Sequence, residues 1–226
     1  MTISRYGHWL STAAEAEYRS FMNEVTSPAL SSRGPADHDV RDQIVAAAEE
    51  HFRRYGYQKT TVSDLAKAIG FSKAYIYKFF DSKQAIGEAI CSRTLSTNIV
   101  AVEEAVAGAS SSTEKFRRLF KTLTTTSVSL FFNDRKLYDL TASSAGEGWP
   151  STRAYADRIR QILAEVIREG RENGEFERKT PFDETVQAVF LVMTPYVHPL
   201  QLQYNLDVAD DAPAQLSNLV LRSLAP

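Results

Sequence analysis

Cysteine is nearly missing: Cys91 is the only one in 226 residues. A lone thiol cannot close an internal disulfide, and it excludes any site built on several cysteines. Cys91 could sense oxidants or serve as a small hydrophobe. With Arg93 its only basic neighbour, the second role is expected. There is no run of about 18 apolar residues, so nothing reads as a membrane span. The N-terminus holds Trp9 and Leu10 but no apolar core of a signal peptide, so a cytoplasmic location is expected. None of the four histidines, His8, His38, His51 and His198, lies four residues from another, so no helical zinc pair is offered. His198, close to Pro195 and Pro199, is the one worth watching as a pocket-wall residue, beside a purely structural role. Nucleophile-elbow, phosphate-loop and dinucleotide-glycine motifs are also missing. These absences argue against an enzyme, and no metal or cofactor is expected.

Alternating apolar and polar runs are missing as well, whereas apolar residues recur at helical spacing throughout, which makes the chain all-α. A content of 43% hydrophobic and 24% charged residues is enough to bury a core without staples. The net charge of −2 conceals an asymmetry. Residues 53–83 hold seven basic and two acidic side chains, against 19 basic and 26 acidic over the rest. Such a local patch is either a solvated charge run or the footprint of a polyanionic partner.

Three regions follow from the pattern. Residues 1–36 form an extension in which Leu10, Ala14, Tyr18, Phe21, Met22 and Val25 make a helical stripe before the linker "TSPALSSRGPAD". It reads as a docked helix or an arm. Glu15, Glu17 and Glu24 against Arg5 and Arg19 argue against a membrane-surface helix. Residues 37–83 carry three short helices. The first is striped by Val40, Ile44, Ala48, Phe52 and Tyr55 and ends at Gly56. The second opens on a capping box of Thr61 and Asp64. The third runs from Lys73 to about Phe79. Residues 84–226 form a larger helical body. Asp81 with Gln84 is a second capping-box pattern, opening a long helix with Ile86, Ile90, Ile99, Val102 and Val106 on one side. Arg135 to Thr141 reads as a short helix and "SSAGEGWPS" as a loop. Pro195 and Pro199 should kink or break the helix that begins near Asp183. Leu216, Leu219, Val220 and Leu224 stripe the last helix.

The stretch "TTVSDLAKAIGFSKAYIYKFFDSK", Thr60 to Lys83, carries the chemistry. Two helices joined by a glycine-containing turn make a helix-turn-helix, whose second helix enters the major groove. Ser72 and the amides of that helix start can meet a phosphate. Lys73, Ala74 and Tyr75 fall on its first turn, and Tyr77 and Lys78 follow. Lysine reaches guanine acceptors or phosphate, the tyrosine hydroxyl reaches phosphate, and small Ala74 permits close approach. Lys83 opposes the helix dipole unless a phosphate lies nearby. The alternative is that Tyr75 and Tyr77 are half-buried aromatics beside a core of Ile76, Phe79 and Phe80.

The segment "QIVAAAEEHFRRYGYQKTTVSDLAKAIGFSKAYIYKFFDSKQAI" resembles the DNA-binding head of the TetR family of one-component transcriptional regulators. The likeness spans about 50 residues, from Val40 to Ala89. It rests on an apolar helix ending in Phe-x-x-x-Gly-Tyr, then Thr-Thr-Val, the Ala-x-x-x-Gly turn, Ser-Lys, "YKFF" and a final Ser-Lys. The resemblance implies that Thr61 and Ser63 touch backbone or bases. It implies that Lys73, Ala74 and Tyr75 read bases, and that Ser72, Tyr77, Lys78 and Lys83 face phosphates. The family often has glycine at position 74 and histidine at position 79. Phe79 removes one possible phosphate contact and is kept with the core.

For the remainder the resemblance implies a homodimer formed through the last two helices, a palindromic double-stranded DNA operator and an unidentified small-molecule effector. The implied function is a repressor released by its ligand. An activator or partner-controlled regulator of the same fold stays open, as does a helical ligand-binding enzyme. Pocket candidates are Phe120, Leu123, Phe131, Tyr138, Trp149, Tyr155, Phe190, Met193 and Tyr196, each also a plausible core residue. Thr124, Thr125, Thr126 and Ser127 offer hydroxyls or a polar face. The long helix from Ser82 is the natural lever between head and body.

Overall fold

The computed structural model describes residues 35–226, and contacts gather Gln43–Pro226 into one compact unit. The stripe from Leu10 to Val25, with the roles suggested for it, lies outside the described residues. The described residues contain helices and turns and no strand. In chain order the helices are α1 (Pro35–Tyr55), α2 (Val62–Ile69), α3 (Lys73–Ile76), α4 (Lys83–Ala107) and α5 (Ser112–Asn133). They continue with α6 (Arg135–Glu147), α7 (Pro150–Glu172), α8 (Phe182–Val197), α9 (Pro199–Leu202) and α10 (Ala212–Ser223).

Small local signals set the ends of the first helices. Gly56 closes α1 at φ +86°, a left-handed position that is cheapest for glycine, and its amide donates to the Phe52 carbonyl at 2.7 Å. Thr61 and Asp64 form the expected capping box on α2. The α3 helix is shorter than its pattern, ending at Ile76 with turns through Phe79. The long helix α4 is capped by Ser82, whose hydroxyl accepts from the Ala85 amide at 3.0 Å. This corrects the Asp81–Gln84 capping box. Ser82 has the extended backbone that a capping residue needs, and Asp81 precedes it.

A larger correction concerns "SSAGEGWPS", which is no loop. Helix α6 runs through it to Glu147, six residues past the expected end at Thr141. Gly148 then turns left-handed, and the Trp149 amide closes back on the Ser144 carbonyl at 2.9 Å. Pro150 follows at the first position of α7, where a missing N–H costs nothing. Glycine and proline here punctuate two abutting helices instead of filling a loop. Pro195 sits inside α8, and Pro199 starts α9. Between them His198 takes the extended backbone imposed on a residue before proline, ψ 123°.

The body's core is built from five helices and the residues just past α10. Leu95, Ile99 and Val102 of α4 meet Phe116, Leu119, Phe120 and Leu123 of α5. Tyr155 to Ile167 of α7, Val189 to Val197 of α8, and Val220 and Leu224 at the C-terminus complete it. Each such side chain contributes about 1.5–3 kcal/mol by leaving water. Gly170 on α7 lets the chain double back: a Cβ there would lie 2.2 Å from the Phe176 ring. Gly170→Ala is therefore expected to cost about 1–3 kcal/mol through overpacking, read as a lower midpoint in urea unfolding.

Candidate nucleic-acid interface and effector cavity

Buried residues fix the turn between α2 and α3 from beneath. Val62, Leu65 and Ala66 are the inward face of α2, and Ile76 and Phe80 anchor α3 and its exit. Gly70 turns at φ +79°, and the Phe71 amide closes on the Ala66 carbonyl at 2.9 Å. The Ser72 hydroxyl then accepts from the Tyr75 amide at 3.1 Å. What remains outward is Ser72, Lys73, Ala74, Tyr77 and Lys78, all exposed. The half-buried Tyr75 ring sits edge-on between Phe71 (5.1 Å) and Phe79 (5.3 Å). Lys73 lies over the Tyr77 ring at 5.7 Å, and Lys78 lies over Tyr75 at 5.5 Å. The short helix thus presents ammonium groups supported on aromatic faces.

Two sequence-derived contact residues, Thr61 and Lys83, have a second occupation. The exposed Thr61 hydroxyl accepts from the Asp64 amide and donates to its carboxylate at 2.7 Å. Those Thr61 hydrogen bonds hold the Asp64 carboxyl below its ordinary range. Ser63 is half-buried on α2. Lys83 turns inward: its ammonium donates to the Tyr57 carbonyl at 3.1 Å and lies 4.3 Å over the Tyr57 ring. That carbonyl explains why a lysine is tolerated at the positive end of a helix dipole.

Tyr57 is also the joint between head and body. Its ring meets Phe52 edge-on at 5.3 Å and the body's Trp149 at 5.6 Å. Both rings rest on Gly87 of α4, where a Cβ would lie 3.0 Å from Tyr57 and 3.1 Å from Trp149. Burial, with Glu147 and Cys91 nearby, pushes the Tyr57 phenol up to about 12. Beside the joint, Glu88 of α4 accepts from the Ser151 amide at 2.5 Å and its hydroxyl at 2.8 Å. Arg53 bridges to Asp134 at 2.6 Å, and Glu49 pairs with both Arg53 and Arg93. Cys91 lies buried next to this region, where desolvation pushes its thiol up to about 12. It stays protonated at neutral pH, as a small hydrophobe does.

A cavity of about 530 Å³ opens between α7 and α8, floored by Leu95 of α4 and bounded by the α6–α7 corner. Of the nine pocket candidates, Tyr155 and Phe190 line it. Phe120, Leu123 and Met193 are packed in the body core, with Tyr196 against it. Tyr138 and Phe131 belong to a second cluster, with rings 4.9 Å apart and the Tyr138 hydroxyl donating to the Pro199 carbonyl. Trp149 faces Tyr57. Thr152, Arg153, Gln187 and Thr194 also line the cavity, and sequence reasoning missed them. Helical periodicity marks apolar faces, and these polar residues meet only where separate helices converge. His198 does line the wall. Thr124 and Thr125 border a different space of about 490 Å³ between α5 and α10. The Thr124 and Thr126 hydroxyls are spent on carbonyls of their own helix. Among the described residues no group of three metal-ligating side chains occurs, and no helix is long and apolar enough to cross a membrane.

Known proteins resemble this chain in sequence and fold. Residues 44–90 match the family described as "Bacterial regulatory proteins, tetR family", and residues 112–216 match "Tetracyclin repressor-like, C-terminal domain". The biofilm operon icaADBC HTH-type negative transcriptional regulator IcaR of Staphylococcus aureus is 41% identical over 49 residues. That stretch is 22% of this chain and 26% of IcaR, so the chain matches about a quarter of that relative's length. Two solved structures are similar over most of the chain. The fatty acid degradation regulator FadR from Bacillus halodurans has a TM-score of 0.59 at 20% identity, covering 80% of this chain and 97% of its own. The TetR family transcriptional regulator PfmR from Thermus thermophilus has a TM-score of 0.53 at 26% identity, covering 79% and 97%.

The two classes of lysine are expected to separate experimentally. Lys83→Met should lower folding stability by about 1–2 kcal/mol, since it removes a hydrogen bond and a cation–π contact at a part-buried joint. Thr61→Ala should cost about 1 kcal/mol through the lost cap. Exposed Lys73→Ala should stay within about 0.5 kcal/mol of the parent. Denaturant unfolding of the three variants checks all three values.

Proposed function

The chain belongs to the TetR family of bacterial regulatory proteins; from that premise we propose that it is a DNA-binding transcriptional repressor that works as a homodimer on a palindromic operator and leaves it when a small molecule binds. The carrying observation is that one helix corner faces both functional regions. Gly148 and Thr152 border the cavity, while Trp149 and Ser151, between them in sequence, hold Tyr57 and Glu88. A ligand that reshapes that wall acts on the head through Tyr57 and α4. It shifts the equilibrium by its differential affinity for the two arrangements.

In this reading residues 37–83 are the DNA-binding head and residues 84–226 the effector and dimerisation domain. Lys73, Ala74 and Tyr75 read bases. Ser72, Tyr77 and Lys78 hold phosphates, with Thr61 and Ser63 contributing from α2. Lys83 contributes chiefly by fixing the Tyr57 turn. The dimer face is the outer side of α8 and α10, where Leu191 and Leu219 are each 57% exposed with Ala188 and Gln215 beside them. Two heads are needed because a single short helix carries too little specificity for a genome. The protein is proposed to be cytoplasmic and without catalytic activity. An activator of the same architecture would share every contact named here.

Selection of binding sites from random duplex DNA at near-physiological salt tests the reading. A single palindromic motif is expected, bound with an affinity that falls steeply as salt rises. Recovery of no motif by the folded protein would overturn it. Lys73→Ala should change the ranking of sites, and Tyr77→Phe should weaken all sites alike. Leu191→Glu with Leu219→Glu should yield monomers in sedimentation and lose operator binding; a dimer surviving both substitutions would move the interface elsewhere.

A further inference from the structure

The joint between head and body has a charged half beside its aromatic one. Glu49 and Arg53 lie one turn apart on α1. The Glu49 side chain is only 11% exposed, with Oε1 at 2.9 Å from Arg53 and Oε2 accepting from Arg93 of α4. Arg53 is held from its other side by Asp134, whose Oδ2 accepts from Arg53 Nε at 2.6 Å. Charges therefore alternate along Arg93, Glu49, Arg53 and Asp134, from α4 across α1 to the start of α6. Asp134 is also the N-cap of α6, where its Oδ1 accepts from the Leu137 amide at 3.3 Å. Lys136 in the same turn lies against the end of α1: a Cβ at Gly56 would sit 3.6 Å from its Cδ.

This chain of charges contributes direction more than folding energy. The Arg53 and Arg93 side chains are 46% and 48% exposed, so either guanidinium released from its partner stays hydrated. The planar Arg53 guanidinium is gripped at Nε by one carboxylate and at its terminal nitrogen by another, which fixes it in two directions. The edge contact of Tyr57 with Trp149 is a single point about which α1 can pivot. Glu49 and Arg53 tie down α1 one and two turns further back. The helix that Asp134 caps has 13 residues, about 20 Å of length, and its far end, at Ala145 and Gly148, borders the cavity.

We propose that Glu49 and Asp134 are positioning residues for operator binding. With Arg53 and Arg93 they fix the angle of the head on the body, and so the separation at which the two heads of a dimer meet DNA. This rests on the dimeric operator reading above and assigns to it the residues that set half-site spacing.

Site selection from random duplex DNA is repeated with Asp134→Asn and Glu49→Gln. Asparagine caps a helix as well as aspartate does, so Asp134→Asn removes the charge and keeps α6. Both variants should select the same half-site sequence as the parent, because α3 is untouched. Both should accept spacings one base pair longer and shorter, and bind the parent motif about three- to tenfold more weakly. Their thermal midpoints should stay within about 4 °C of the parent, which separates positioning from loss of fold. Asp139→Asn is the control: it removes the same charge from α6, but its partner Arg135 lies on that helix. Hydrogen exchange of the free proteins needs no DNA. Amides of residues 44–55 should exchange roughly threefold or more faster in the two variants, and those of α8 should not. A single unchanged spacing in both variants, parent-like exchange in α1, or the same broadening in Asp139→Asn would each overturn the assignment. A parent chain that selects no palindrome overturns the operator reading instead, and the exchange result then decides whether these charges hold the head.

Discussion

The contact between Tyr57 and Trp149 over Gly87 holds the functional arrangement together. Tyr57 follows the first helix of the head, and Trp149 begins the turn into α7. Glycine at position 87 lets both rings reach the α4 backbone. Lys83 closes the arrangement from the other side by bonding the Tyr57 carbonyl. A four-residue recognition helix is too short to hold its own orientation. Its direction comes from the core beneath it, and the core's relation to the body comes from this joint.

The same corner connects two kinds of site with opposite physical requirements. The proposed DNA face is exposed, cationic and polar, with lysines carried over tyrosine rings. The cavity is more enclosed and mixes apolar residues with Thr152, Arg153, Gln187 and Thr194 in its wall. Ser144, Gly148 and Pro150 give the corner a fixed shape through a left-handed cap and a helix start that needs no donor. Glu88 then fixes that helix start to α4. In the proposed mechanism a ligand-driven displacement of this corner reaches the head through that joint.

Much of the head was legible in sequence because its determinants are local. The capping box at Thr61 and Asp64, the turn at Gly70 and the outward lysines each depend on residues within one or two helical turns. Lys83 was the exception, since its partner Tyr57 lies 26 residues away. The apolar stripes of the body offered Phe120, Leu123 and Met193 as pocket candidates or core residues, and the structure packs them in the core. Periodicity could not separate core from cavity wall, because both are apolar and inward.

The sequence by itself determined the all-α class, the helix-turn-helix, its cationic surface and the absence of familiar catalytic patterns, all of which follow from short-range spacing and composition. Tertiary structure alone decided which aromatic residues line the cavity and that Lys83 bonds the Tyr57 carbonyl. Those outcomes depend on how helices distant in the chain converge.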